Sequence, residues 1–191
     1  MTKARLRKLE PAELTPAQRA IYDQFGAGGN RASVPGAIPL IDDEGHLNGP
    51  PGIWLLHPPL GDAFQALGLV FRGGLELTRA AQEIIILAHA QRLDSAFERY
   101  AHENAAARAG VAQADIEALS AGKTVSFADP EQQMCYEIAV ALMDNGGLTD
   151  AEYARAIDVL GEARLLEATS IVGWYYVVAL QLSVFGVLPP E

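Results

Sequence analysis

Apolar residues recur at three- and four-residue intervals along most of the chain, and no stretch sustains the strict alternation of a half-buried strand. This pattern predicts an all-α protein. Residues 1–13 read as an N-terminal arm. Thr15-Pro16-Ala17-Gln18 has the form of a helix start, with Thr15 as N-cap, Pro16 at the first helical position and Gln18 closing a capping box. Ile21, Tyr22 and Phe25 then form the inward face. A Gly- and Pro-rich loop over residues 28–53 holds the acidic turn Asp42-Asp43-Glu44-Gly45 and ends in a stiff, tightly turned segment carrying Trp54. Loops of that length are usually functional or disordered. Pro58-Pro59 open a second helix, with Leu60, Phe64, Leu67, Val70 and Phe71 at helical spacing, and Gly73-Gly74 close it.

Thr78 caps a third helix that runs to about Arg92. Its Ile84-Ile85-Ile86-Leu87 run suits a buried strand equally well, but the absence of turn residues from Arg79 to Leu93 favours a helix. Asp94 or Ser95 caps a fourth helix that Gly110 ends. Further helices are expected at Gln113–Ala121, from Asp129-Pro130 to Met143, from Thr149 to about Leu160, and from about Leu165 to Phe185.

The chain has 191 residues and 50% apolar content, enough for one globular domain across residues 1–191. Its net charge is −10, and four of its basic residues (Lys3, Arg5, Arg7, Lys8) crowd the start, so the remainder is more acidic still. A body of that sign repels phosphate backbones, and nucleic acid is not an expected partner. A single cysteine, Cys135, excludes a disulfide framework and any CxxC motif. The basic start is followed by Leu9-Glu10-Pro11 rather than an apolar core, so no secretory signal is read and a cytoplasmic location is expected. The uncharged stretch Ala168–Pro190 has the length of a membrane span, yet no basic residue follows it, and a helix buried in a core or subunit interface is the expectation.

Candidate chemistry concentrates on two consecutive helices. Ser95, Glu98 and His102 are spaced by three and four residues and therefore share one helix face. Ser95 sits at the helix N-terminus, where backbone N–H groups favour an anion. If the preceding helix folds back as an antiparallel partner, Glu83 faces the same patch. A carboxylate beside an imidazole suits proton transfer. The alternatives are a plain i,i+4 surface pair, or a metal site in which His57 or His89 joins Glu98 and His102. No CxxC, HExxH or nearby second histidine completes such a site, so no metal is expected. Arg72 and Arg79 can hold a substrate carboxylate, or lie solvated at helix ends. Trp54 and His57 can wall a pocket; the plainer roles are core packing for Trp54 and a local backbone bond for His57.

The spacing Glu83-x11-Ser95-x2-Glu98-x3-His102 resembles the signature of the carboxymuconolactone decarboxylase and alkyl hydroperoxidase D (AhpD) superfamily, whose peroxidase members carry Glu-x11-Cys-x2-Cys-x3-His. The flanks are similar too: Leu77-Thr78-Arg79 with Glu83–Leu87 before the turn, and Ala107–Gly110 with Ile116–Leu119 after it. The resemblance implies an AhpD-like helical bundle with an antiparallel helix pair carrying the motif, a trimer-based or hexameric homo-oligomer, and an active site between subunits. Ser95 and Glu98 stand where both redox cysteines would be, so peroxidase chemistry is not expected. The retained Glu-x3-His half is similar to the decarboxylase branch. Phe97-Glu98-Arg99-Tyr100 matches its aromatic segment only in part.

The implied activity is that of a cofactor-free lyase or isomerase acting on a small carboxylated lactone or aromatic-degradation intermediate. His102, Glu98 and Glu83 would be catalytic, and Ser95, Arg72, Arg79, His57 and Trp54 would contact the substrate. The alternative is a non-catalytic, small-molecule-binding oligomer of the same fold.

Overall fold

The computed structural model describes residues 4–25 and 39–190. The first half of the expected 28–53 loop, and the Gly26–Gly29 end of the first helix, lie outside the described residues. The regular structure of those residues is helical, with one isolated bridge between Ile41 and Leu47 and irregular segments between helices. They divide into two compact units, one made of the chain up to Gly73 together with the segment from Leu180 onward, the other spanning Gly74–Ala179.

In the first unit a single 3-10 turn, Pro11–Glu13, ends the otherwise non-helical arm, and the amides of Arg5 and Leu6 both donate to the Phe185 carbonyl. Helix α1 is Pro16–Phe25. Its start is the capping box its residues imply: the Thr15 amide donates to Gln18 Oε1 at 3.0 Å, and the Gln18 amide returns to Thr15 Oγ1 at 3.4 Å. Ile21 and Phe25 are buried while Tyr22 is half-buried. The tight segment before Trp54 is itself a short helix, α2, Pro50–Trp54. It is entered through Gly49 at φ 66, with Pro50 supplying its first helical residue. Helix α3, Pro58–Gly73, lies close to α2: a Cβ on Gly61 would come within 2.8 Å of the Trp54 carbonyl oxygen. Phe71 is buried, but Leu60, Leu67, Leu69 and Val70 are exposed. The apolar residues of α3 are thus only partly buried.

The second unit is built around α4, Arg79–Arg92, in which every residue from Ala80 to Ala90 is buried. That burial explains why Ile84–Leu87 carries no amphipathic signature: a helix packed on all sides needs no polar face. Around α4 pack α5 (Ala96–Arg108), α6 (Gln113–Ser120) and α7 (Pro130–Asn145). Asp129 caps α7 by accepting the Gln132 amide, and Gly146 stops it at φ 72. The last two expected helices are both present, separated by a kink at Gly161 where φ is 74 and ψ is 171; the pair is labelled α8, Asp150–Phe185. Thr149 and Glu152 form its capping box. This helix is long and apolar enough by length and composition to cross a membrane.

Three charged side chains of α7 and α8 fasten the approach to α4. Glu167 accepts the amides of Glu76 and Leu77, at 2.9 Å for each. Glu131 accepts both the amide and the hydroxyl of Thr78, and Arg164 pairs with the same Glu131 at 2.9 Å. Burial favours the protonated Glu131, but the two Thr78 bonds and Arg164 outweigh it and hold the carboxyl below its ordinary pKa. The start of α4, with Arg79 in its first turn and Glu83 one turn on, is thereby held in register.

Candidate acid–base site

Glu83 points from α4 toward α5. Its Oε2 lies 2.6 Å from His102 Nδ1, and the residue is completely buried. His102 uses its other nitrogen toward its own helix: Nε2 lies 3.2 Å from Glu98 Oε2, one helical turn back. Glu98 is 3% exposed and His102 7%. A solvent-exposed i,i+4 pair therefore does not describe these residues. Nor does Glu83 act through an intervening water: its contact with the ring is direct.

Arg79 completes the group from one turn before Glu83, its guanidinium in direct contact with Glu83 Oε1. Arg79 also donates to Gln82 Oε1 at 3.0 Å, and Gln82 in turn donates to the Leu77 carbonyl at 2.7 Å. Its side chain is 40% exposed, so Arg79 bridges the buried carboxylate to the surface. Tyr175 of α8 presents its ring to the imidazole edge at 5.1 Å and 88°. Ser95 is buried at the N-cap of α5, where its side chain makes no capping bond. Arg99, the departure from the aromatic segment, reaches back to Asp94 at 3.0 Å.

The electrostatics follow from this enclosure. Burial disfavours a charged ring, but Glu83 first and Glu98 after it more than compensate, and the His102 pKa rises to about 9. With the ring protonated, two cations (Arg79, His102) face two carboxylates (Glu83, Glu98), and the buried group is neutral as a whole. A value near 9 leaves the His102 ring protonated at neutral pH. The looser 3.2 Å contact on Nε2 makes that N–H the one more readily transferred.

The remaining sequence candidates lie elsewhere or play other parts. Trp54, His57 and Arg72 belong to the first unit. Trp54 packs between the rings of Phe25 and Phe64, and its indole N–H donates to Gln181 Oε1 at 3.1 Å. His57 is exposed, and its Nδ1 accepts the Leu60 amide at 3.3 Å, as a helix-start residue would. Arg72 is exposed and donates to Gln65 Oε1 at 3.2 Å. His89 is fully buried in α4 with neither ring nitrogen hydrogen-bonded, and burial pushes its pKa down to about 4. Cys135 is fully buried too, and burial, followed by Glu131, pushes its thiol up to about 12. Such a thiol supplies no thiolate at neutral pH.

Two contributions carried little signal in the chain. The Arg79–Glu83 pair has helical i,i+4 spacing, but nothing in the pattern separates it from a surface pair. Tyr175 sits in an apolar run whose neighbours read equally as core. No family model, curated protein or solved structure matches the chain.

Proposed function

We propose that this chain is a lyase or isomerase of the carboxymuconolactone decarboxylase kind, which uses His102 as general acid on a small carboxylated lactone or related intermediate. The observation that carries the reading is the His102 ring held between the buried carboxyl groups of Glu83 and Glu98. In such a decarboxylation the bond to the carboxylate carbon breaks, CO2 departs, and the electron pair enters a conjugated carbonyl. His102 Nε2–H then protonates the ring carbon, and water restores the proton, which Glu83 and Glu98 draw back to the imidazole. Glu83 fixes the ring through Nδ1, and Glu98 steadies the transferable proton. Arg79 neutralises Glu83, and its part-exposed guanidinium retains N–H donors for the substrate carboxylate.

In this reading α4 and α5 form the antiparallel pair of an AhpD-like bundle. The protein is a cytoplasmic homo-oligomer, in keeping with the exposed Leu60, Leu67, Leu69 and Val70 of α3, and with Tyr176 and Val177 of α8. Dithiol peroxidase activity has no place in it.

One observation favours a second reading. The complete burial of Glu83 also suits a non-catalytic ionic cluster that fixes the pairing of α4 with α5 inside a binding or scaffolding oligomer. Screening carboxylated lactones and aromatic acids for CO2 release by the wild type and His102→Gln separates the two. The enzymatic reading expects turnover that falls on the order of a hundredfold or more in the variant while substrate binding persists. No CO2 release from any compound, together with a large loss of stability in the variant, supports the scaffold instead.

A further inference from the structure

A second cluster of titratable groups lies in the first unit and shares no residue with the His102 site. Ile41 and Leu47 bridge to one another and close a short turn between them. Asp42 organises it: its Oδ1 accepts the amides of Glu44 at 3.0 Å and His46 at 2.8 Å. Gly45 takes φ 88, and its carbonyl accepts the Tyr22 hydroxyl at 2.7 Å. The turn thus projects Asp42, Glu44 and His46 to one side, and their ligand atoms all lie within 4.8 Å of one another.

The histidine is the telling member. His46 is only 6% exposed, and its Nδ1 has no hydrogen-bond partner. That nitrogen points between two carboxylates, 3.4 Å from Asp42 Oδ2 and 3.4 Å from Glu44 Oε2. On the far side of the ring, Nε2 lies 3.3 Å from Glu10 Oε1. A carboxylate that accepts the Nε2 proton leaves the Nδ1 lone pair directed at the two oxygens. A lone pair facing two anionic oxygens is repulsive, and the repulsion is relieved by a proton on Nδ1 or by a metal cation held between the three atoms. A carboxylate behind a histidine is also the usual support of a metal-bound imidazole.

The two 3.4 Å spacings from His46 bear on the kind of cation. Zinc bonds of about 2.0–2.1 Å to nitrogen and 2.0–2.2 Å to oxygen place neighbouring tetrahedral ligands about 3.4 Å apart. An octahedral ion with bonds of the same length would place them about 3.0 Å apart. Imidazole with carboxylates also suits zinc-like ions better than calcium or magnesium. We infer that Asp42, Glu44 and His46 form a three-ligand site for a divalent transition metal of the zinc class, with Glu10 orienting His46 and the fourth position open to solvent. Lys8 is the competitor: its ammonium lies 2.6 Å from Asp42 Oδ2. Its side chain is half exposed, so it can swing away when the metal arrives.

The test is titration of the full-length chain with zinc chloride, read by calorimetry and by the ring-nitrogen NMR signals of His46. Saturable binding of one zinc per chain is expected, with His46 Nδ1 shifting on binding. His46→Ala should abolish it. Glu44→Gln alters a side chain that is 78% exposed, so the fold should be unaffected, and affinity should fall by about tenfold or more. Lys8→Met should have the opposite effect and tighten binding. The inference fails if zinc does not saturate at one equivalent, or if His46 signals do not move. It fails equally if His57→Ala, at an exposed histidine in the same unit, removes the binding that Glu44→Gln leaves intact.

Discussion

Replacing Glu83 with glutamine keeps the shape of the side chain and removes one buried charge. In the wild-type protein burial opposes the His102 imidazolium, while Glu83 and then Glu98 lift its pKa from 6.5 to about 9. At about 1.4 kcal/mol for each tenfold change in proton affinity, that rise corresponds to about 3 kcal/mol of folding stability tied to this proton. The folded-state pKa lies above the unfolded one. The contribution is therefore fully present below pH 6.5 and is lost as pH climbs through 9. In Glu83→Gln the burial remains, and a neutral amide cannot balance the imidazolium. Only Glu98 is left, at 3.2 Å. The His102 titration should fall back toward 6.5 or below, and most of the alkaline loss of stability should disappear with it. Glu98→Gln should give a smaller drop, because the 2.6 Å contact with Glu83 survives. Long-range proton–nitrogen NMR of the histidine ring follows the titration directly, and urea unfolding at stepped pH follows the stability. A His102 midpoint that stays near 9 in Glu83→Gln would refute the assignment of the shift to Glu83. A wild-type midpoint near 6.5 would refute the paired imidazolium itself.

Hydroperoxides should not be consumed with a dithiol donor, because Cys135 is the one cysteine of the chain and its thiol is held protonated; saturable turnover that survives Cys135→Ser would contradict this. Gly161→Ala should destabilise the protein by about 1–3 kcal/mol in chemical unfolding through backbone strain alone, since φ 74 with ψ 171 is a glycine conformation and an added Cβ meets nothing within 4 Å. An unchanged unfolding midpoint would show that the break in α8 is not built on that conformation. His89 is buried with its pKa pushed down to about 4, so its contribution is present above pH 6.5 and is lost as pH falls through 4. His89→Leu should remove that acid sensitivity, which stability measured at about pH 7 and again at about pH 4.5 would reveal.

Much of the helical framework is local and was legible in the chain. Thr15 with Gln18, Thr78, and Asp129 with Pro130 begin helices because each side chain satisfies amides only a few residues away. Gly110 and Gly146 lie at helix ends because both adopt positive φ. The kink at Gly161 separates the two helices of α8 for the same local reason. The shared face of Glu98 and His102 follows from helical spacing alone.

What lay beyond the sequence involves residues distant along the chain. The 2.6 Å contact between Glu83 and His102 spans 19 positions, and the packing of α4 against α5 decided that it is direct. That packing, closed over by Tyr175, also turned an ordinary i,i+4 pair into a buried imidazolium, since the effect of a neighbouring charge depends on how much water remains around it. The acidic turn at Asp42–Gly45 was visible in the residues. The ring of His46, with Glu10 brought in from 36 positions away, took its orientation only from the folded turn. Helical periodicity placed Leu60, Leu67 and Val70 on α3 but could not say whether their own unit would cover them, because burial belongs to the assembled surroundings rather than to the helix.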